Sequence, residues 1–140
     1  MKVFVLIAAV LGCCLALPCL HDNAHDLTEE HVINMVVVAL DTDGDGVISE
    51  IDILNYFIVN FDHNFDFQVD SGEFVKQWHA TFHDSEAFAL HVFQQLNTNP
   101  DNVLSLADVD PLVMRVDTSG DGLIQNDEFK QQLELIYAAC

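Results

Sequence analysis

Carboxylate side chains alternate with small residues in two short stretches of the sequence. The first, DTDGDGVISEID, covers residues 41–52, and the second, DTSGDGLIQNDE, covers residues 117–128. A hard cation such as Ca²⁺ takes about six to eight oxygen ligands, and a 12-residue loop supplies them from positions 1, 3, 5, 9 and 12 and from the carbonyl of position 7. A glycine at position 6 lets the backbone turn sharply. Each stretch therefore predicts a calcium site.

The ligand positions can be read directly from the two stretches. In the first, called loop 1, they are Asp41, Asp43, Asp45, Val47, Ser49 and Asp52. In the second, called loop 4, they are Asp117, Ser119, Asp121, Leu123, Gln125 and Glu128. Position 6 is Gly46 or Gly122, and position 8 is Ile48 or Ile124. On these residues and their helix-forming flanks the chain resembles the EF-hand calcium-binding family, in its secreted form.

Two further loops with the same spacing lie between them. Position 6 is Phe67 in loop 2, and holding a bulky residue at positive φ costs about 1–2 kcal/mol. In loop 3 it is Asn102, which tolerates that conformation, but only Asp101 and Asp108 bring carboxylates. The ligand positions are Asp62, Asn64, Asp66, Gln68, Asp70 and Glu73 in loop 2, and Asn97, Asn99, Asp101, Val103, Ser105 and Asp108 in loop 3.

The residue at position 12 is predicted to set the affinity of a loop for calcium. Glu128 can offer both carboxylate oxygens to the ion, whereas Asp52 is one methylene shorter and is expected to offer one oxygen or to bind through water. A single oxygen lowers calcium affinity and narrows discrimination against Mg²⁺, the expected competitor. We rank loop 4 first, loops 1 and 2 next, and loop 3 last.

The spacing of the loops determines which helices must position them. Loops 2 and 3 start 35 residues apart, which leaves room for two helices. Loops 1 and 2 start only 21 residues apart, and loops 3 and 4 only 20. We therefore predict that one helix is shared within each close pair, over residues 50–61 and residues 106–116.

The resemblance to EF-hand proteins implies that loops lie side by side in pairs. If loops 2 and 3 pair, the two shared helices run antiparallel and bring loops 1 and 4 together. The expected fold is one all-α EF-hand domain over residues 17–140, with four loops and a pseudo-twofold axis. In it Val69 faces Leu104, and Ile48 faces Ile124.

Apolar side chains recur at helical spacing in the segments that flank the loops. An exposed groove for target peptides is one interpretation, but a small domain must bury its helix faces, so ordinary core is favoured. The first helix is predicted to start at a capping box of Asp26 and Glu29. The predicted core residues are Val32, Ile33, Val36, Val37, Leu40, Phe74, Trp78, Phe82, Phe88, Val92, Leu96, Phe129, Leu133, Ile136 and Tyr137.

Residues 1–16 have the pattern of a secretory signal peptide. Lys2 precedes an apolar run over residues 3–11 that is too short to span a bilayer, and a small-x-small site ends at Ala16. Cleavage there predicts a secreted, extracellular protein, and an uncleaved membrane anchor is the alternative. Cys19 and Cys140 then remain, and they could bridge, stay unpaired or form an intermolecular disulfide.

The charge of the chain excludes several classes of partner. The 140 residues carry 23 acidic and four basic side chains, a net charge of −19 that becomes −20 when Lys2 leaves with the signal. This charge repels nucleic acid and anionic membranes and attracts cations, so neither is a predicted partner. The sequence contains no Ser–His–Asp spacing, phosphate-binding glycine loop or reactive cysteine motif, so an enzyme is not expected.

Seven histidines raise the alternative of a zinc or copper site. His79 and His83 stand one helical turn apart, and His21 and His25 have the same spacing. Neither pair has a third ligand at a defined spacing, so a solvated surface is the favoured interpretation.

Calcium binding outside the cell is the predicted function. Extracellular EF-hand modules work at about 10⁻⁴–10⁻³ M calcium, and the mature chain keeps only Met35 and Met114, unlike Met-rich sensors. We expect an acidic calcium buffer or matrix component. The signal, acidity and loop count resemble secreted EF-hand proteins of mineralising tissue such as shell-forming mantle, which implies biomineralisation, with calcium mineral as a partner. The alternative is a calcium-dependent regulator that exposes an apolar surface to an extracellular protein.

Overall fold

The computed structural model describes residues 27–140, and 62% of these residues are helical. The chain is therefore predominantly helical, as predicted. In this part of the chain no helix is long and apolar enough to cross a membrane. The elements follow in the order α1 (Glu29–Leu40), β1 (Val47–Ile48), α2 (Glu50–Phe61), β2 (Val69–Asp70), α3 (Ser71–Phe82), α4 (Glu86–Leu96), β3 (Val103–Leu104), α5 (Leu106–Val116), β4 (Ile124–Gln125) and α6 (Asn126–Ala138).

The two predicted shared helices have the predicted bounds. Helix α2 covers residues 50–61 and helix α5 covers residues 106–116, so both predictions are confirmed. The start of α1 was predicted wrongly. Its N-cap is Thr28, whose Oγ1 accepts a hydrogen bond from the backbone N–H of His31 at 3.3 Å, and not Asp26. A hydroxyl directly before the first helical turn satisfies one of its free N–H groups, which moves the start two residues along the chain.

Strands and helices from the two ends of the described chain pair with each other, and those from its middle do the same. Strand β1 pairs with β4 and β2 with β3, both antiparallel, and Ile48 faces Ile124 while Val69 faces Leu104, as predicted. The most extensive helix packing joins α3 to α4, α1 to α6 and α2 to α5. Loop 1 consequently lies beside loop 4, and loop 2 beside loop 3.

Aromatic side chains fill the core beneath loops 2 and 3. Phe74 stacks on Phe61 with ring centroids 5.0 Å apart and on Trp78 at 5.5 Å, and it contacts Phe93 at 5.5 Å. These contacts join α2, α3 and α4 around one ring. All fifteen residues predicted to form the core are buried, which confirms the core interpretation of the apolar faces.

A buried carboxylate fastens the last helix to the connection between α3 and α4. Asp84 Oδ2 accepts hydrogen bonds from Trp78 Nε1 at 3.0 Å and from the Tyr137 hydroxyl at 2.9 Å. Burial, and then the charge of Asp84, raise the pKa of Tyr137. Three residues further on, Cys140 is disulfide-bonded. Cys19, with which a bridge was one of three possibilities, lies outside the described residues, as do the predicted signal peptide and its cleavage site.

Candidate metal centres

The side chain at position 1 of each loop holds the turn that follows it. In loops 2 and 4 the two carboxylate oxygens accept from the backbone N–H groups of positions 4 and 6. In loop 1, Asp41 accepts from positions 5 and 6, both at 3.1 Å. The N···O distances are 2.7 and 2.9 Å for Asp62, and 2.7 Å for both bonds of Asp117. Because these bonds draw the backbone around position 1, a short acid there shapes the loop as well as supplying oxygen.

Position 5 repeats one contact in all four loops. Its carboxylate accepts from the backbone N–H of position 7, so the two predicted ligand positions are held at a fixed separation. The four bonds are Asp45 to Val47 (2.8 Å), Asp66 to Gln68 (2.9 Å), Asp101 to Val103 (3.0 Å) and Asp121 to Leu123 (2.9 Å).

The carboxylate at position 12 closes each loop and caps the helix that follows. In loop 4, Glu128 Oε1 accepts from the N–H groups of Thr118 (3.0 Å) and Ser119 (2.8 Å), and Oε2 accepts from the N–H of Gln125 (3.0 Å). Glu73 does the same in loop 2. One side chain thus ties positions 2, 3 and 9 together, so an ion held by this carboxylate is coupled to the start of the next helix.

The shorter aspartates at position 12 make the equivalent contacts from a deeper position. Asp108 accepts from Thr98 N (2.8 Å), Asn99 N (3.2 Å) and Ser105 N (3.0 Å) and is 3% exposed. Asp52 accepts from Ser49 N at 2.9 Å and from the Thr42 hydroxyl, and is 7% exposed. Burial leaves these shorter side chains less free to turn toward an ion than Glu128, which is only half-buried.

Loop 1 concentrates three carboxylates without a cationic side chain among them. Each of Asp41, Asp43 and Asp45 offers an oxygen, and the three oxygens lie within 4.8 Å of one another. Unit charges at such separations repel one another, and a bound divalent cation reverses the sign of the interaction. The ligands are oxygens alone, and such a set fits a hard cation such as Ca²⁺ or Mg²⁺ rather than a metal that prefers sulfur or imidazole.

Hydrogen bonds lower the pKa of four carboxyl groups in loops 1 and 4. The amide of Asn126 lowers the pKa of Asp41, and the backbone N–H of Gly122 lowers the pKa of Asp117. The N–H of Gln125 lowers the pKa of Glu128. For Asp52 burial opposes ionisation, but hydrogen bonds from Ser49 and Thr42 outweigh it and lower the pKa. These groups are therefore charged and available as ligands at neutral pH.

The backbone at position 6 has the predicted left-handed conformation in every loop. Gly46 and Gly122 have φ of 86° and 83°, and Phe67 and Asn102 adopt 65° and 67°. The strain predicted for Phe67 is therefore present.

Position 4 carries a second requirement that the sequence interpretation missed. It has positive φ in loops 1, 2 and 4, at Gly44, Phe65 and Gly120. Glycine at this position in loops 1 and 4 was the available signal. Loop 2 thus holds two phenylalanines in strained conformations, and both side chains are exposed.

Loop 3 departs from the other loops at position 4 and in the contacts of its position 1 side chain. Pro100 stands at position 4, where its ring excludes positive φ and its nitrogen has no hydrogen to donate. When the Asn97 amide is turned so that both its ends find partners, its nitrogen donates to Asn99 Oδ1 at 3.0 Å and its oxygen accepts from Asn102 N at 3.0 Å. Two of the predicted ligands therefore bind each other.

One side chain crosses from loop 4 to loop 1. Asn126 Nδ2 donates to Asp41 Oδ2 at 2.8 Å, and the backbone N–H of Asn126 donates to the Gly46 carbonyl at 3.1 Å. This contact between residues 85 apart in sequence was not predicted.

The histidine alternative gains no support from the described part of the chain. His79 Nδ1 lies 2.5 Å from the carbonyl oxygen of Asp84, and its ring is engaged there. His21 and His25 lie outside residues 27–140.

No protein-family model matches this chain, and no curated protein matches it. The chemistry of the loops is therefore inferred from their own residues.

Proposed function

We propose that this chain is a secreted calcium-binding protein of the EF-hand type, with loops 1, 2 and 4 as its ion sites. The observation that carries the proposal is the carboxylate cluster of Asp41, Asp43 and Asp45, whose oxygens lie within 4.8 Å of one another. Holding three charged oxygens so close is unfavourable without a cation and favourable with one. The same loop pattern at the other positions extends the proposal to the remaining sites.

Differences between the loops support an order of affinity. Loop 4 combines glycine at positions 4 and 6 with a Glu at position 12 that can give two oxygens. Loop 1 has more carboxylates but ends in the shorter, buried Asp52. Loop 2 carries the strain of Phe65 and Phe67. Loop 3 is last, because only Asp101 and Asp108 bring carboxylates and Pro100 excludes positive φ at position 4.

The biological role that fits these sites is extracellular calcium buffering or a place in an acidic matrix that influences calcium mineral deposition. A net charge of −20 on the mature chain attracts calcium to the whole surface as well as to the loops. Sites weakened by strain or by a short position 12 suit the high calcium of that compartment.

A second candidate is a regulator that binds a protein when calcium is present. The observation that favours it is a small apolar pocket of about 30 Å³ between α2 and α5, lined by residues that include Ile53, Phe57, Leu104 and Leu112. A dye that fluoresces on apolar surface separates the two candidates. Calcium raises its signal if the pocket opens, and lowers its signal if calcium only tightens the fold.

Calorimetric titration of calcium into residues 17–140, with and without millimolar magnesium, tests the proposal. We expect two or more sub-millimolar sites that persist in magnesium. Glu128→Gln should remove the tightest site, whereas Glu134→Gln, which removes an exposed charge from the same helix, should leave all sites unchanged. An absence of binding heat in the unmodified protein, or equal effects of the two substitutions, would refute calcium binding by the loops.

A further inference from the structure

The contact between Asn126 and Asp41 is asymmetric within the paired loops. Asn126 is position 10 of loop 4, and its amide donates to the first ligand of loop 1. The equivalent residue of loop 1 is Glu50, which has no hydrogen to donate when ionised, so it cannot return the contact to Asp117. In the other pair these positions hold Ser71 and Leu106. The cross-loop bond therefore has one direction, from loop 4 to loop 1.

Asp41 uses its two oxygens differently because of this bond. Its Oδ2 accepts from Asn126 Nδ2 (2.8 Å) and from Gly46 N (3.1 Å), and its Oδ1 accepts from Asp45 N (3.1 Å). The carboxylate also accepts from the backbone N–H of Gly44, so the Asn126 amide is the donor that comes from outside loop 1. A hydrogen bond to the second oxygen of a ligating carboxylate fixes the orientation of the first, and such outer contacts influence metal affinity strongly.

The amide oxygen of Asn126 indicates that this residue is not placed for stability alone. Asn126 Oδ1 is buried and has no hydrogen-bond partner within residues 27–140. A buried acceptor without a donor is unfavourable, and folded proteins contain few of them. An apolar residue at position 126 would avoid this buried oxygen. The amide is present instead, and its nitrogen reaches Asp41.

Loop 4 controls the position of this amide through the start of α6. Glu128 stands two residues after Asn126 in the first turn of the helix and closes loop 4. An ion that draws in Glu128 fixes this turn, and with it the side chain of Asn126. Coupling between two binding sites is reciprocal, so calcium in loop 1 also favours calcium in loop 4 by the same free energy.

We infer that Asn126 is a positioning residue through which calcium in loop 4 raises the affinity of loop 1. This inference rests on the proposed calcium binding by both loops. Occupation of loop 4 orders the first turn of α6, the Asn126 amide then holds Asp41 Oδ2, and Asp41 Oδ1 is presented to the second ion. Loop 4 is filled first, and loop 1 follows with an affinity that depends on it.

Nuclear magnetic resonance with a calcium titration tests the inference in four proteins: unmodified, Asn126→Ala, Glu128→Gln and the double variant. The position 6 amides of Gly46 and Gly122 each bond the first ligand of their own loop, so they report loops 1 and 4 separately. We expect Asn126→Ala to weaken loop 1 by about 10–100-fold and to leave loop 4 unchanged. Glu128→Gln should also weaken loop 1, but not when Asn126 is already alanine.

Matched variants separate positioning from general destabilisation. Ser71→Ala changes position 10 of loop 2 and should leave Gly46 unaffected. Asn126→Ser keeps a polar residue at the start of α6, but serine is too short to reach Asp41. If the alanine variant fails to fold, Asn126→Ser replaces it in the test, and it should weaken loop 1 in the same way. With calcium in loop 4 alone, both Asn126 variants should shift the Gly46 amide resonance relative to the unmodified protein but not the Gly122 resonance.

The outcomes distinguish this inference from the proposed function. If calcium moves neither glycine resonance in the unmodified protein, calcium binding by these loops fails, and the coupling fails with it. If the unmodified protein binds at both loops but the Asn126 variants bind at loop 1 normally, the inference alone is overturned. It is also overturned if Glu128→Gln leaves loop 1 unchanged in the unmodified background.

Discussion

Replacing Asp84 by alanine should destabilise the protein more than any comparable removal of surface charge. The carboxylate is 7% exposed, and its Oδ2 accepts from Trp78 Nε1 at 3.0 Å and from the Tyr137 hydroxyl at 2.9 Å. Both donors belong to buried side chains. An orphaned buried donor costs about 1–3 kcal/mol, so two donors set the expected loss of unfolding free energy at about 2–6 kcal/mol.

Urea unfolding measures this loss through the only tryptophan, Trp78, which is itself one of the donors. Asp84→Asn keeps one oxygen acceptor and should lose less than Asp84→Ala. Tyr137→Phe removes one donor and should lose about 1–3 kcal/mol. The control Glu134→Ala removes an exposed charge from α6 and should stay within about 0.5 kcal/mol of the unmodified protein. An Asp84→Ala variant as stable as this control would refute the reasoning.

Three further perturbations have defined outcomes. Burial raises the pKa of Tyr56 to about 12 and also raises the pKa of Tyr137. Both tyrosines therefore stabilise the folded state fully below the unfolded pKa of about 10, and this contribution is lost as the pH rises through their folded pKa values. Absorbance near pH 10 from two tyrosinates in a folded chain would contradict this. Phe67→Asn should relieve up to about 1–2 kcal/mol of backbone strain at little packing cost, since Phe67 is 78% exposed. Urea unfolding of the ion-free protein measures this, and an unfolding free energy that does not rise would show that the strain is absent. Removing calcium should lower the melting temperature because the empty acidic loops repel themselves, and a melting temperature unchanged by millimolar calcium would count against ion binding.

Spacing made the helical framework predictable. Intervals of 21 and 20 residues between loop starts leave room for a single helix, and α2 and α5 have the bounds that follow from this. Antiparallel shared helices then required strands β1 and β4 to meet, and Ile48 faces Ile124. Both inferences use chain length and direction, which a sequence states directly.

Features that depend on tertiary position were not predictable in this way. Asp84 is one of 23 acidic residues, and nothing in its neighbours marks it as the carboxylate that becomes buried beside Tyr137. The bond from Asn126 to Asp41 joins residues 85 apart and depends on the side-chain geometry of two packed loops. Pro100 was readable, since its ring excludes positive φ wherever it stands, but the need for positive φ at position 4 became evident only in the structure.

The two loop pairs differ in the geometry of their turns and in the contacts beneath them. Loops 1 and 4 have glycine at the turns, ionised ligands and the cross-loop amide of Asn126. Loops 2 and 3 accept strained or proline-restricted turns, but they stand above the aromatic contacts of Phe74, which hold α2, α3 and α4 together without an ion. If the proposed calcium binding holds, we expect removal of the ion to loosen the contact between α1 and α6 most, because the aromatic core supports the middle of the chain without an ion.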